Sequence, residues 1–131
     1  MNRYGFALAG SISAIISARL YVALGGSLNY SFLGYQLHHF YYGISLLVIA
    51  AILKVRNKAP ESVILFLTGM GLGFICDESD LLLSIGRPYT MQLYYAPLNL
   101  AMDTILILVL FRLSENRNYV HGLLYDSERV L

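Results

Sequence analysis

The chain has 131 residues, of which 57% are hydrophobic and only 13% charged, with a mean hydropathy of +0.61. Soluble domains spend roughly a quarter of their residues on charge, so this composition excludes a disordered chain and argues against an ordinary soluble globule. A net charge of +1 gives no general attraction for nucleic acid, and the single cysteine, Cys76, excludes an internal disulfide. The solvent that fits is a lipid bilayer.

A spanning helix needs about 20 mostly apolar residues, each rising about 1.5 Å. The first such window runs from Tyr4 to Leu24, interrupted only by small Ser and Gly residues and by Arg19, and Gly25-Gly26 stops it. Its length and the spans that follow lead to the expectation of a mature helix and not a signal peptide. The second window runs from Gly34 to Leu53 and ends in Lys54, Arg56 and Lys58, with Pro60 starting the next helix. The third begins at Glu61-Ser62 and is apolar through Ile75. Leu81-Leu82-Leu83, beyond the Asp77-Glu78 pair, predicts that it continues to Gly86 with its acids inside the span. The fourth runs from Tyr94 to Phe111, with Pro97 in its first turn and Arg112 closing it. Residues 113–131 form a polar tail with scattered Val, Leu and Tyr, either a short surface helix or loose chain. The predicted fold is all-α: four transmembrane helices in an antiparallel bundle over residues 1–112, then a cytoplasmic tail, with no repeat and no low-complexity tract.

Cytoplasmic loops carry an excess of Lys and Arg. Alternating sides places Arg3, Lys54, Arg56, Lys58, Arg112, Arg117 and Arg129 together, Arg87 alone opposite them, and Arg19 within the membrane. Both termini are therefore expected to be cytoplasmic in a multi-pass protein of the cell membrane. Tyr30, Phe32, Tyr35, Tyr89, Tyr94 and Tyr95 then fall at the outer boundary, where amphipathic rings settle. Asn29-Tyr30-Ser31 matches the glycosylation acceptor pattern on an outer loop.

This topology brings distant polar residues to a common depth. His38 and His39 start the second helix, Asp77, Glu78 and Asp80 lie toward the outer end of the third, and Asp103 lies on the fourth. Helix arithmetic puts Asp103 about 14 Å below Tyr94 and Arg19 about 22 Å above Tyr4, both in the middle-to-outer region. An intramembrane charge costs several kcal/mol, is normally paired and faces the bundle interior, which makes it a functional-site hypothesis. Residues four apart share a helix face. Tyr95, Asn99 and Asp103 form one stripe, and Gly69, Gly73 and Asp77 another, with Gly69-x-x-x-Gly73 allowing close backbone approach. Adjacent histidines on a helix point about 100° apart, so His39 is expected to face inward and His38 to be the spare.

Imidazole with two or three carboxylates is a ligand set for zinc, iron or manganese, and bundle cores commonly house such sites. His38, His39, Asp77, Glu78 and Asp103 are the candidate ligands for a divalent metal, by clustering alone, since no HExxH, ExxH or CxxC signature is present. The competing structural reading has Arg19 paired with Asp103 or Asp77 inside the membrane, His38 at the interface, and Glu78 and Asp80 facing water. No intramolecular haem is expected, because His38 and His39 are neighbours and His121 lies on the tail. Ser11, Ser13 and Ser17 read as packing residues whose hydroxyls bond the backbone, and Cys76 as apolar filler. Gly69 to Gly73 lies inside an apolar helix and is no phosphate loop.

The stretch Leu37-His38-His39-Phe40-Tyr41-Tyr42-Gly43, then Gly71-x-Gly73-x-x-x-Asp77-Glu78, then Asp103, resembles a group of small uncharacterised prokaryotic integral membrane proteins over Gly34 to Val109. The resemblance implies that His38, His39, Asp77, Glu78 and Asp103 belong together, and it carries no activity. Asp80 and the Tyr-rich approach to the fourth helix depart from the pattern. Three functions remain open: a membrane-embedded metal protein acting on a lipid or other apolar substrate, a non-catalytic subunit of a larger membrane complex, and a proton or cation pathway in a homo-oligomer.

Overall fold

The structure is a computed structural model in which residues 3–24, 30–32, 35–80 and 96–128 are described. Four helices, α1 (Arg3–Ala23), α2 (His39–Val55), α3 (Glu61–Asp77) and α4 (Pro97–Glu128), make the fold all-α apart from a hairpin of two three-residue strands. Those strands, β1 (Tyr30–Phe32) and β2 (Tyr35–Leu37), pair antiparallel with Ser31 opposite Gln36. Aromatic residues at 30, 32 and 35 favour extended backbone, which is why α2 begins at His39 and not at Gly34. At its other end α2 runs to Val55 and closes on Asn57, whose φ is 49°. Lys58 N–H reaches back to the Leu53 carbonyl at 3.1 Å and Asn57 N–H to that of Lys54 at 3.2 Å, a left-handed C-terminal closure.

Helix α3 ends at Asp77, because Glu78 leaves helical geometry with φ −120° and ψ 28°. The expected continuation through Leu81 to Gly86 lies outside the described residues, as do Gly25-Gly26, Asn29, Arg87, Tyr89, Tyr94, Tyr95 and Arg129. Helix α4 starts at Pro97, in the first turn, where the backbone N–H has no intrahelical partner to lose. It runs unbroken through Arg112 into the tail for 32 residues, about 48 Å. Two helices, α1 and the Pro97–Glu115 part of α4, have both the length and the apolarity to cross a membrane, whereas α2 is a shorter apolar helix of 17 residues.

Helix α3 packs against α1, α2 and α4, and α1 also packs against α4. Side-chain contacts fix the directions. Arg3 meets Glu61, Ser11 meets Gly69 and Arg19 meets Asp77, so α1 and α3 run parallel with a constant offset of 58 residues. Helices α2 and α4 run the other way, with Phe40 against Glu78 and Asn99 against Asp80. The glycine stripe explains how closely α1 and α3 approach. A Cβ at Gly69 would collide with the Ala7 carbonyl, and one at Gly73 would lie 2.7 Å from the Ser11 carbonyl oxygen. Ser11 Oγ then donates across the gap to the Gly69 carbonyl at 2.8 Å. Ser13 and Ser17 bond backbone carbonyls of their own helix.

The distribution of side chains is inverted relative to a soluble core. Among the described residues the largest fully buried side chains are Glu78, Asn99, Asp77 and Ser11, and the buried apolar side chains are mostly small, such as Ala7, Ala14 and Ala18. Large apolar groups instead face outward, among them Ile16, Leu20, Val48, Ile52, Ile105 and Leu108.

Candidate functional site

The buried polar groups gather at one end of the bundle, where α1 and α3 finish and α2 and α4 begin. Arg19 stands near the end of α1 beside the small-residue face formed by Ala7, Ser11, Ala14 and Ala18. Its Nε donates to Asp77 Oδ1 at 2.6 Å and its Nη2 to Asp103 Oδ2 at 3.0 Å. One guanidinium thus joins three helices, and it pairs with both acids, not with one of them. The Asp77 side chain is fully buried and that of Asp103 is 9% exposed. The second oxygen of Asp103, Oδ1, is buried and accepts no hydrogen bond among the described residues.

Glu78 turns the other way. Burial leaves it 1% exposed, contrary to the reading in which it faces water. Its Oε2 accepts the Phe40 N–H at 2.7 Å, one of the unsatisfied amides at the start of α2. A carboxylate just beyond α3 therefore caps α2, where His38 occupies the capping position without a side-chain capping bond. The charge also lies at the positive end of the α2 dipole, worth about half an elementary charge.

Both imidazoles approach that carboxylate, with His38 Nδ1 at 3.7 Å and His39 Nδ1 at 4.0 Å from Glu78 Oε1. The expectation that only His39 faces inward is corrected here. It assumed that both residues were helical, but His38 has extended backbone angles, φ −83° and ψ 155°, so the 100° rule does not separate the pair. The His39 ring is further bounded by Phe74, Tyr42 and Tyr21, with centroids 5.9, 6.2 and 6.4 Å away.

All five candidate ligands thus lie at one end of the bundle, but as two adjacent groups: Asp77 and Asp103 on Arg19, and Glu78 beside His38 and His39. Neither histidine Nδ1 is within ordinary hydrogen-bond distance of Glu78. Among the described residues no group of three or more His, Cys, Asp or Glu is arranged to hold a metal ion. The polar residue not singled out for a role is Asn99, fully buried, whose Oδ1 accepts from Asp80 N–H at 2.7 Å and Ser79 Oγ at 3.1 Å. Its signal was its place four residues before Asp103 on one helix face.

No protein-family model, curated protein or solved structure matches the chain. The site is therefore read from its own geometry.

Proposed function

We propose that the chain is an integral membrane protein of four spans, with both termini cytoplasmic, whose buried cluster exchanges protons as part of a proton or cation pathway in a homo-oligomer. The observation that carries this reading is the charge count. Among the described residues three buried carboxyl groups share one end of the bundle with a single guanidinium: Asp77 and Asp103 pair with Arg19, and Glu78 lies next to them beside His38 and His39. The start of α2 offsets only about half a charge. A surplus of negative charge under lipid is costly, so the group takes up protons or a small cation, and the two imidazoles stand beside it as exchange partners. The outward apolar side chains and the inward basic loops support membrane insertion with that orientation.

The test is reconstitution into liposomes holding a pH-sensitive dye. Wild type should dissipate an imposed pH gradient, and Glu78→Gln, which keeps an oxygen for the Phe40 amide, should lose that activity while remaining folded. So should Asp103→Asn. Gradient decay no faster than in empty liposomes would sink the relay.

A second reading keeps the metal, because both Nδ1 atoms face the same Glu78 oxygen. Zinc, iron or manganese drawn between them would bring with it the chemistry on a lipid or apolar substrate. Elemental analysis of detergent-purified protein at neutral pH separates the readings: about one metal per chain, lost in His39→Ala, supports the metal. Co-purification with other membrane subunits, with neither flux nor metal, supports a structural role instead.

A further inference from the structure

We infer that Asn99 is the positioning residue of this cluster: its buried amide oxygen fixes the turn after α3 that sends two adjacent carboxyls, Asp77 and Glu78, to different helices. The functional consequence rests on the proton-relay reading, whereas the geometry stands without it.

Were α3 to continue past Asp77, the next amides would be satisfied by carbonyls four residues back. The chain leaves that path at Glu78, and Asp80 N–H donates instead to Asn99 Oδ1 on α4 at 2.7 Å. Ser79 Oγ donates to the same oxygen at 3.1 Å. Asn99 therefore acts from a neighbouring helix as a capping residue acts from within its own. Glu78 lies immediately before these two anchored residues and Asp77 immediately before Glu78. Anchoring the turn to α4 holds Glu78 against the Phe40 amide while Asp77 stays on Arg19. Asn99 and Asp103 are one turn apart on α4, so a single helix face supplies both the acceptor for the turn and the second carboxylate of the Arg19 clamp. An aliphatic side chain of similar size at position 99 would leave buried donors without this acceptor.

Amide hydrogen exchange on isotope-labelled protein in lipid nanodiscs tests the inference. In wild type the Asp80 amide should be as protected as those inside α3, and rapid exchange there would overturn the proposal whatever the variants do. In Asn99→Leu, exchange of the Phe40 amide should accelerate about tenfold, the worth of roughly one hydrogen bond, with α1 and the middle of α4 unchanged. A general role in packing would accelerate all of them together. Asn99→Asp, which keeps an oxygen acceptor, should hold Phe40 near its wild-type rate. An unchanged Phe40 amide in Asn99→Leu, or equal disturbance in Asn99→Asp, overturns the inference. In liposomes Asn99→Leu should shift the pH midpoint of flux at equal protein content. If wild type carries no flux, the relay reading fails and the amide data alone decide the role of Asn99.

Discussion

Replacing Arg19 with methionine keeps a long apolar stem and removes the charge. Two carboxylates, one fully buried and one 9% exposed, then lose the guanidinium that holds them at 2.6 and 3.0 Å. Removing one partner of a buried pair costs about 3–5 kcal/mol, mostly because the remaining charge is left uncompensated. Arg19 is itself 18% exposed, which places the loss near the lower end, about 3 kcal/mol or roughly a hundredfold in the folding equilibrium. Replacing all three groups with apolar ones, as Arg19→Met with Asp77→Leu and Asp103→Leu, removes the desolvation cost along with the attraction and should restore stability to within about 1 kcal/mol of wild type. Titration of SDS into mixed micelles, followed by circular dichroism, measures both. A single variant as stable as wild type, or a triple variant as damaged as the single one, would refute the view of Arg19 as a charge-compensating clamp.

Helix packing gives a second expectation: Gly69→Ala drives a methyl into the Ala7 backbone and should cost about 1–3 kcal/mol in the same titration. Gly71→Ala meets Leu47 Cγ at 2.8 Å and the Gly43 carbonyl oxygen at 2.9 Å, a looser fit than at Gly69, and should cost less. Topology is tested by cysteines at Leu24 and Val55, which are 79% and 83% exposed at the ends of α1 and α2, in a Cys76→Ala background. An impermeant thiol reagent should label them from opposite faces of sealed vesicles, and labelling from one face would refute the four-span arrangement. His38→Ala should leave α2 helical, since Glu78 and not His38 caps it through the Phe40 amide. Loss of α2 helicity by circular dichroism would refute that assignment.

The residues that meet at the site were legible wherever helix arithmetic alone decided depth. Arg19, Asp77 and Asp103 sit on regular helices, so counting residues placed them together, and the Gly69-Gly73 spacing announced a close helix contact. What failed was backbone that departs from the helix. The aromatic stretch before His38 prefers extended backbone, so His38 enters the site from outside the helix and both imidazoles reach Glu78. Glu78 reads from the sequence as a candidate ligand with the other acids, and only the competing reading turns it to water; its role in capping a helix distant in sequence has no local signature. Asn99 was visible as one member of a stripe, but only its contacts with Ser79 and Asp80 give it a task. The apolar window closing at Arg112 left the tail open as helix or loose chain, because polar residues end a hydrophobic window without ending a helix, and α4 runs on to Glu128.

That length has a mechanical consequence. From the Arg19 clamp at Asp103 to Glu128 the α4 backbone extends about 38 Å as one rod. Pivoting about the clamp by about 10° would sweep its far tip through roughly 6–7 Å, on the geometry of a straight helix. A small rearrangement among a few charged atoms at one end would thus reach the opposite end as a displacement large enough for another molecule to sense.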